Sequence, residues 1–284
     1  MPHTQSTVTS HAHGAHRYLR ALPHVHNKNR IPVLYLHGAE GYGAYFAKLM
    51  RHSASHGFPS YAPDLMGHGL RFEEDIRTAS ILQYIADIAK FLEEVLFPEQ
   101  KGRRELIIVG HSMGALMAQK LAEQPYVRAT VLITPAPPMG VAFRSGPVKW
   151  REDDLHRLAM KLLGGQDMKP DRQYLESFFA DPVKSRKAID QWALQSRNES
   201  LFASVEILLG LIGVKRERIK GPILVIGAGR DAVIHPSVAK EVADHYGAKL
   251  EMIPELGHMC PFERGCEKVS RSILKWLDDE GFLA

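Results

Sequence analysis

Apolar positions along the chain fall into two kinds of run. Segments 31–36 (IPVLYL), 58–62, 106–109 (LIIV), 129–134 (ATVLIT), 223–226 and 249–253 are short runs that predict strands, with the β-branched content of a buried strand in 106–109. Residues 18–22 predict a short first strand ahead of them. Segments 44–56, 80–96, 113–123, 236–246 and 262–277 instead predict helices. In the second of these, Ile81, Ile85, Ile88, Leu92 and Val95 recur at spacings of three and four, the stripe of an amphipathic helix. Strands alternating with helices predict the α/β class, with a mostly parallel sheet covered on both faces.

One interval breaks the alternation. It opens with Pro135, Pro137, Pro138 and Gly140 and runs to about Lys220 with helical stretches but no convincing strand. Leu155, Leu158, Leu162, Phe178, Phe179, Trp192, Leu201, Val205, Leu208 and Leu211 recur through it. A helical insertion between two strands of a parallel sheet is most simply a cap over the strands' carboxyl ends, where sites in open α/β sheets lie. The domain reading is therefore a polar mobile tail over 1–16, an α/β core over 17–135 and 221–284, and a helical cap over 136–220.

Composition narrows this only slightly. The 284 residues are 45% hydrophobic and 24% charged, with a formal charge of +4. These are values of an ordinary globular domain with no basic run long enough for a nucleic-acid groove. Two cysteines, Cys260 and Cys266, do not make a disulfide framework. No apolar run has the length of a membrane span, and the first twenty residues carry no apolar core, so the expected location is cytoplasmic. His11, His13, His16, His24 and His26 lack a Cys or carboxylate framework, and no metal is expected. No glycine loop has phosphate-cradling spacing, and no cofactor is expected.

The chemistry is concentrated at Gly110-His111-Ser112-Met113-Gly114. A predicted strand leads into this G-x-S-x-G and a run of strong helix formers leads out, the context of a nucleophile elbow. Gly110 and Gly114 flank the serine where strand and helix pass too closely for a Cβ, so the turn presents Ser112 above the sheet near a helix N-terminus. A serine hydroxyl needs a base, itself oriented by a third group. Asp231 stands just past the strand in ILVIGAGRD, and His258 in the loop after the following strand. His235 and His245 are rival bases, but neither has a strand-end position of its own. Acyl transfer also needs donors for a developing oxyanion. The Met113 amide is one; the Ala39 amide, in the loop His37-Gly38-Ala39, is the other. Glu40 is discordant there, and is expected to point away or to pair with Arg71 or Arg144.

Taken in order, HGAEGYG, PDLMGHG, GHSMG, GAGRD and GH resemble the α/β-hydrolase superfamily, in its serine esterase, lipase and thioesterase branches. The HGxxG and GHSMG loops also resemble those of monoglyceride lipases. The resemblance implies Ser112 as nucleophile, His258 as base and then acid, Asp231 as its orienter, and Ala39 with Met113 as oxyanion hole. Epoxide hydrolases and haloalkane dehalogenases of this fold carry an aspartate at the elbow, so Ser112 argues against both. The family has a strand pair before its first buried strand; only about thirty residues precede that strand here, so the pair is expected to be reduced. The expected activity is hydrolysis of a small-molecule carboxylic ester. Thioester, lactone or C–C bond hydrolysis, perhydrolysis, or a non-catalytic binding role on the same fold are the alternatives.

Overall fold

Eight strands make one sheet in the order β1-β2-β4-β3-β5-β6-β7-β8 in the computed structural model, which describes residues 6–24, 30–141 and 172–283. The strands are β1 (Val8–His13), β2 (His16–Ala21), β3 (Val33–Leu36), β4 (Ser60–Pro63), β5 (Leu106–His111), β6 (Val127–Ile133), β7 (Ile223–Ala228) and β8 (Lys249–Ile253). From β4 to β8 all pairings are parallel, whereas β1 pairs with β2 and β2 with β4 antiparallel. The central strands carry apolar side chains on both faces, as strands buried between two helical layers must. Leu34, Leu36, Ile108, Leu132 and Val225 point to one face; Val33, Tyr35, Ile107, Val109, Val131 and Ile226 point to the other.

Each face has its own helices. The first is covered by α2 (Ile81–Phe91), α3 (Met113–Leu121) and, later in the chain, Pro236–Tyr246, through Ile88, Leu116 and Val242. The second is covered by α1 (Ala47–Ser55) and the C-terminal helix Glu267–Asp279, through Leu49, Ile273 and Leu277. A 3₁₀ turn over Gly43–Phe46 precedes α1, and a π turn over Leu92–Leu96 follows α2, so the helix expected over 80–96 continues with a change of winding.

The tail expected over 1–16 is corrected. From Val8 onward it is strand, and β1 and β2 pair in full register from Val8↔Ala21 to His13↔His16, so the strand pair is not reduced either. Hydropathy missed β1 because this edge strand is mostly exposed and held by its backbone ladder. Residues 1–5 lie outside the described residues.

Between β6 and β7 the described residues carry three helices and no strand: α4 (Arg172–Glu176), α5 (Arg186–Gln195) and α6 (Leu201–Leu208). Leu155, Leu158 and Leu162 of the expected helical interval lie outside the described residues. Numbering onward, Pro236–Tyr246 is α7 and Glu267–Asp279 is α8. No helix among the described residues is long and apolar enough to cross a membrane.

Candidate active site

β5 ends at His111 and α3 begins at Met113, so Ser112 alone makes the turn between them. It sits at φ 55°, ψ −118°, a backbone state that costs a non-glycine residue roughly 1–3 kcal/mol and persists where its surroundings over-determine it. The surroundings are glycines needed for space. A Cβ on Gly114 would lie 2.2 Å from the Leu36 carbonyl oxygen, and one on Gly110 would lie 2.3 Å from that of Gly114. A Cβ on Gly38 would come 2.9 Å from that of Ser112. Strand β3, its following loop and the elbow therefore interlock backbone against backbone.

The ends of β7 and β8 bring the two partners. His258 Nε2 is 3.0 Å from Ser112 Oγ, and His258 Nδ1 is 2.8 Å from Asp231 Oδ2. The other carboxylate oxygen, Oδ1, accepts the Val233 and Ile234 amides, both at 2.8 Å. With Oδ1 occupied, Oδ2 is aimed at the imidazole. A carboxylate can only accept, so Nδ1 carries the proton and Nε2 of the neutral ring is left to accept from the serine hydroxyl. The His258 and Asp231 side chains are 3% and 1% exposed, which strengthens each bond by excluding water. An imidazole so placed is able to take the hydroxyl proton as the oxygen attacks. The rival His235 is exposed, where its ring accepts the Ser237 amide at the start of α7, and His245 lies within α7.

The loop after β3 closes the other side. Leu65 N–H donates to His37 Nε2 at 3.0 Å, so His37 Nδ1 bears the proton and donates to the Gly38 carbonyl at 2.9 Å. Burial, then the neighbouring His68 imidazole, holds the His37 pKa down at about 3, and the ring is neutral. Gly38 N–H donates to Tyr45 Oη at 2.5 Å, and Tyr45 Oη is 2.9 Å from His111 Nδ1. His111 Nε2 donates to the His258 carbonyl at 2.9 Å. Burial and then the adjacent His258 push the His111 pKa well below the ordinary value, consistent with a ring that donates from one nitrogen and accepts at the other. Ala39 and Met113 line the same cavity as Ser112 and His258. Met113 is the first residue of α3, where an amide has no intrahelical acceptor.

Glu40 is buried, adopts φ 56° and is among the residues lining the cavity. Its carbonyl accepts Trp192 Nε1–H at 3.0 Å. The expected pairing with Arg71 is corrected: that guanidinium is held by Asp87 and Glu74. Arg144 lies outside the described residues.

The insertion supplies most of the remaining wall through Tyr174, Phe178, Trp192 and Ile207, with Glu199 as a buried carboxylate. Glu199 accepts from Tyr84 Oη at 2.6 Å and lies 3.1 Å from His68 Nε2. Burial opposes ionisation of this carboxyl, but His68 and the hydrogen bonds override it and hold the pKa at about 2. Burial likewise opposes protonation of His68, and Glu199 overrides it to raise that pKa. Sequence reasoning missed Tyr45, His68, Glu199 and Glu263. Tyr45 and Glu263 stand just past HGAEGYG and GH, His68 lies within PDLMGHG and Glu199 in the insertion, but nothing local shows what they reach. Among the described residues no group of three or more His, Cys, Asp or Glu is placed to hold a metal ion; His26 lies outside them.

The chain is similar to several solved α/β-hydrolase structures. It superposes on 2-hydroxy-6-oxo-6-phenylhexa-2,4-dienoate hydrolase from Rhodococcus sp. strain RHA1 with a TM-score of 0.69 at 18% identity, covering 95% of this chain and 98% of that one. The enol-lactonase from Burkholderia xenovorans LB400 gives a TM-score of 0.65 at 18% identity, with 95% and 100% covered. An esterase from Exiguobacterium antarcticum gives 0.69 at 18% identity, with 93% and 95% covered. At these identities the likeness is one of fold. The sequence match is of another kind: residues 27–265 fit the family model described as serine aminopeptidase, S33, and the chain belongs to that family of serine α/β-hydrolases.

Proposed function

We propose that this hydrolase cleaves a carboxylic ester of small or medium, partly apolar substrates through an acyl-enzyme. The observation that carries the reading is the unbroken line from Asp231 through His258 to Ser112 Oγ at 2.8 and 3.0 Å, opening on a largely apolar cavity. In this reading Ser112 Oγ attacks the ester carbonyl carbon as its proton passes to His258 Nε2. Asp231 stabilises the imidazolium that forms. The Ala39 and Met113 amides receive the negative charge on the carbonyl oxygen, with His37, Gly38, Gly110 and Gly114 fixing the backbone around them. The imidazolium then gives its proton to the leaving alkoxide. Water, deprotonated by the same ring, releases the acid and restores Ser112. The insertion acts as a cap, and Tyr174, Phe178, Trp192 and Ile207 set which acyl group fits.

Turnover of a short p-nitrophenyl ester and labelling by a fluorophosphonate probe test this together. Ser112→Ala should abolish labelling and lower kcat by roughly 10⁶-fold, the scale on which loss of a serine nucleophile acts. Asp231→Asn should cost about 10⁴-fold by favouring the wrong tautomer. A folded Ser112→Ala protein with undiminished turnover would rule the assignment out. Thioesters, lactones and a C–C diketone assayed alongside decide which acyl chemistry this pocket prefers.

A further inference from the structure

The loop carrying His258 is anchored less by its own strand than by partners beyond it. Gly257 N–H donates to Glu263 Oε1 at 2.5 Å, and the other oxygen of that carboxylate accepts the Ala180 amide at 3.1 Å. Met259 N–H donates to the Phe178 carbonyl at 3.1 Å. The Leu256–Gly257 and His258–Met259 peptides are thereby tied to segment 178–180 of the insertion, the first through Glu263 and the second directly. The approach leaves no room for a side chain: a Cβ on Gly257 would lie 2.5 Å from Ala180 N and 3.0 Å from Phe178 O. The Phe178 ring meets the imidazole edge-on at 5.7 Å between centroids. Glu263 itself is 2% exposed, a carboxylate buried with one oxygen on each of two chain segments.

We propose that Glu263 is a positioning residue that couples the seating of the insertion to the readiness of His258, by clamping the Gly257 peptide against Ala180. The inference rests on the assignment of His258 as base. The ring must hold 2.8 Å to Asp231 and 3.0 Å to Ser112 at once. Its direction follows from the backbone around it, which is held from the core by His111 on the His258 carbonyl, and from the insertion by Phe178 on the Met259 amide and by Ala180 through Glu263. Displacing segment 178–180 would break the Phe178–Met259 bond and free the Glu263 carboxylate from Ala180, loosening the backbone that aims the imidazole. The titratable groups that face Glu263 are Asp231, His258, Cys260 and Cys266. Burial pushes its carboxyl up from the ordinary range, and the two amides that donate to it act in the opposite direction.

The test compares three variants on a short p-nitrophenyl ester across pH, with thermal melting and Ser112→Ala run in parallel. Glu263→Gln keeps the size but gives up the charge and one acceptor. It should lower kcat about 10- to 100-fold, the scale of a sub-ångström to ångström misplacement, with KM within about twofold. The acid limb of its kcat/KM profile should move to lower pH, because a carboxylate that favours the imidazolium is gone. Glu263→Asp keeps the charge on an arm too short for both amides, so kcat should fall while the acid limb stays. Gly257→Ala touches no titratable group and should lower kcat by wedging the two backbones apart. A folded Glu263→Gln protein with wild-type kcat and an unmoved acid limb would overturn the proposal, even with a lowered Tm. Should that variant not fold, wild-type kcat in both Glu263→Asp and Gly257→Ala would overturn it. Turnover surviving in Ser112→Ala would instead bring down the site assignment on which the inference rests.

Discussion

At the scale of single residues, the site depends on atoms that are missing. Ser112 keeps its strained φ of 55° only because Gly110, Gly114 and Gly38 let three backbone segments touch. Gly114→Ala would push a methyl to 2.2 Å from Leu36 O, which is main chain and has no rotamer to yield. The expected cost is about 3 kcal/mol, the upper end of ordinary overpacking, together with loss of probe labelling at Ser112. Urea unfolding and fluorophosphonate reaction of the same preparation measure both. A variant of wild-type stability would mean that β3 and α3 approach less closely than described. By contrast Gly102, at φ 95° with no atom of the described residues within 4 Å of where its Cβ would sit, is a glycine of conformation alone.

Helix ends carry the argument at the scale of elements. Ser80 Oγ accepts the Gln83 amide at 3.1 Å while Gln83 Oε1 accepts the Ser80 amide at 2.8 Å, a reciprocal box that starts α2. The next amide, Ile81 N–H, donates at 2.7 Å to Glu206 of α6, so the insertion supplies a carboxylate to the positive end of a core helix. Ser200 Oγ adds a bond to the Ala79 carbonyl at 2.6 Å. Ser80→Ala should lower stability by about 1 kcal/mol, the usual worth of an N-cap, and leave kcat on a soluble ester unchanged. Denaturant midpoints at constant m-value, with steady-state kinetics on the same samples, check this. An unchanged midpoint would show that Glu206 alone satisfies the start of α2.

For the molecule as a whole, the buried imidazoles set how stability follows pH. His37 and His111 stay neutral in the fold because burial, then a nearby imidazole, depresses their pKa values, that of His37 to about 3. In the unfolded chain they take up a proton near pH 6.5. Below that pH the unfolded state binds more protons, so stability falls on acidification, by about 1.4 kcal/mol per pH unit for each ring. His68 has the opposite sign. Its pKa is raised in the fold, so its contribution is complete below 6.5 and is lost as pH rises through the folded value. Glu199, held at about 2, contributes above about 4.5 and is lost only as pH falls toward 2. Unfolding free energy should therefore decline from pH 6.5 to 5, and His111→Gln should flatten that slope. Chemical denaturation at half-unit pH intervals reads this, and a flat wild-type curve over that window would contradict neutral buried rings.

Much of this was written in short-range pattern. The alternation of apolar runs with helical stripes determined a mostly parallel, doubly covered sheet, and the strand–glycine–serine–glycine–helix succession marked the elbow. Both signals are local, since strand length, helix period and a missing Cβ act within a few residues. The order of Ser112, Asp231 and His258 along the chain was legible too, as was the loop of Gly38 and Ala39. Tertiary structure decided what local pattern has no means to encode. It paired the polar strand β1 through its backbone, and it took Arg71 to Asp87 and Glu74 instead of Glu40. It also set the insertion against the loop of His258 through Glu263. These contacts join residues from 3 to 83 positions apart, and such a residue looks the same in the sequence whether it meets solvent or another chain segment. Chain order carried which candidate side chains stand at strand ends; only the packing of distant segments decided their distances, their neighbours and their charge.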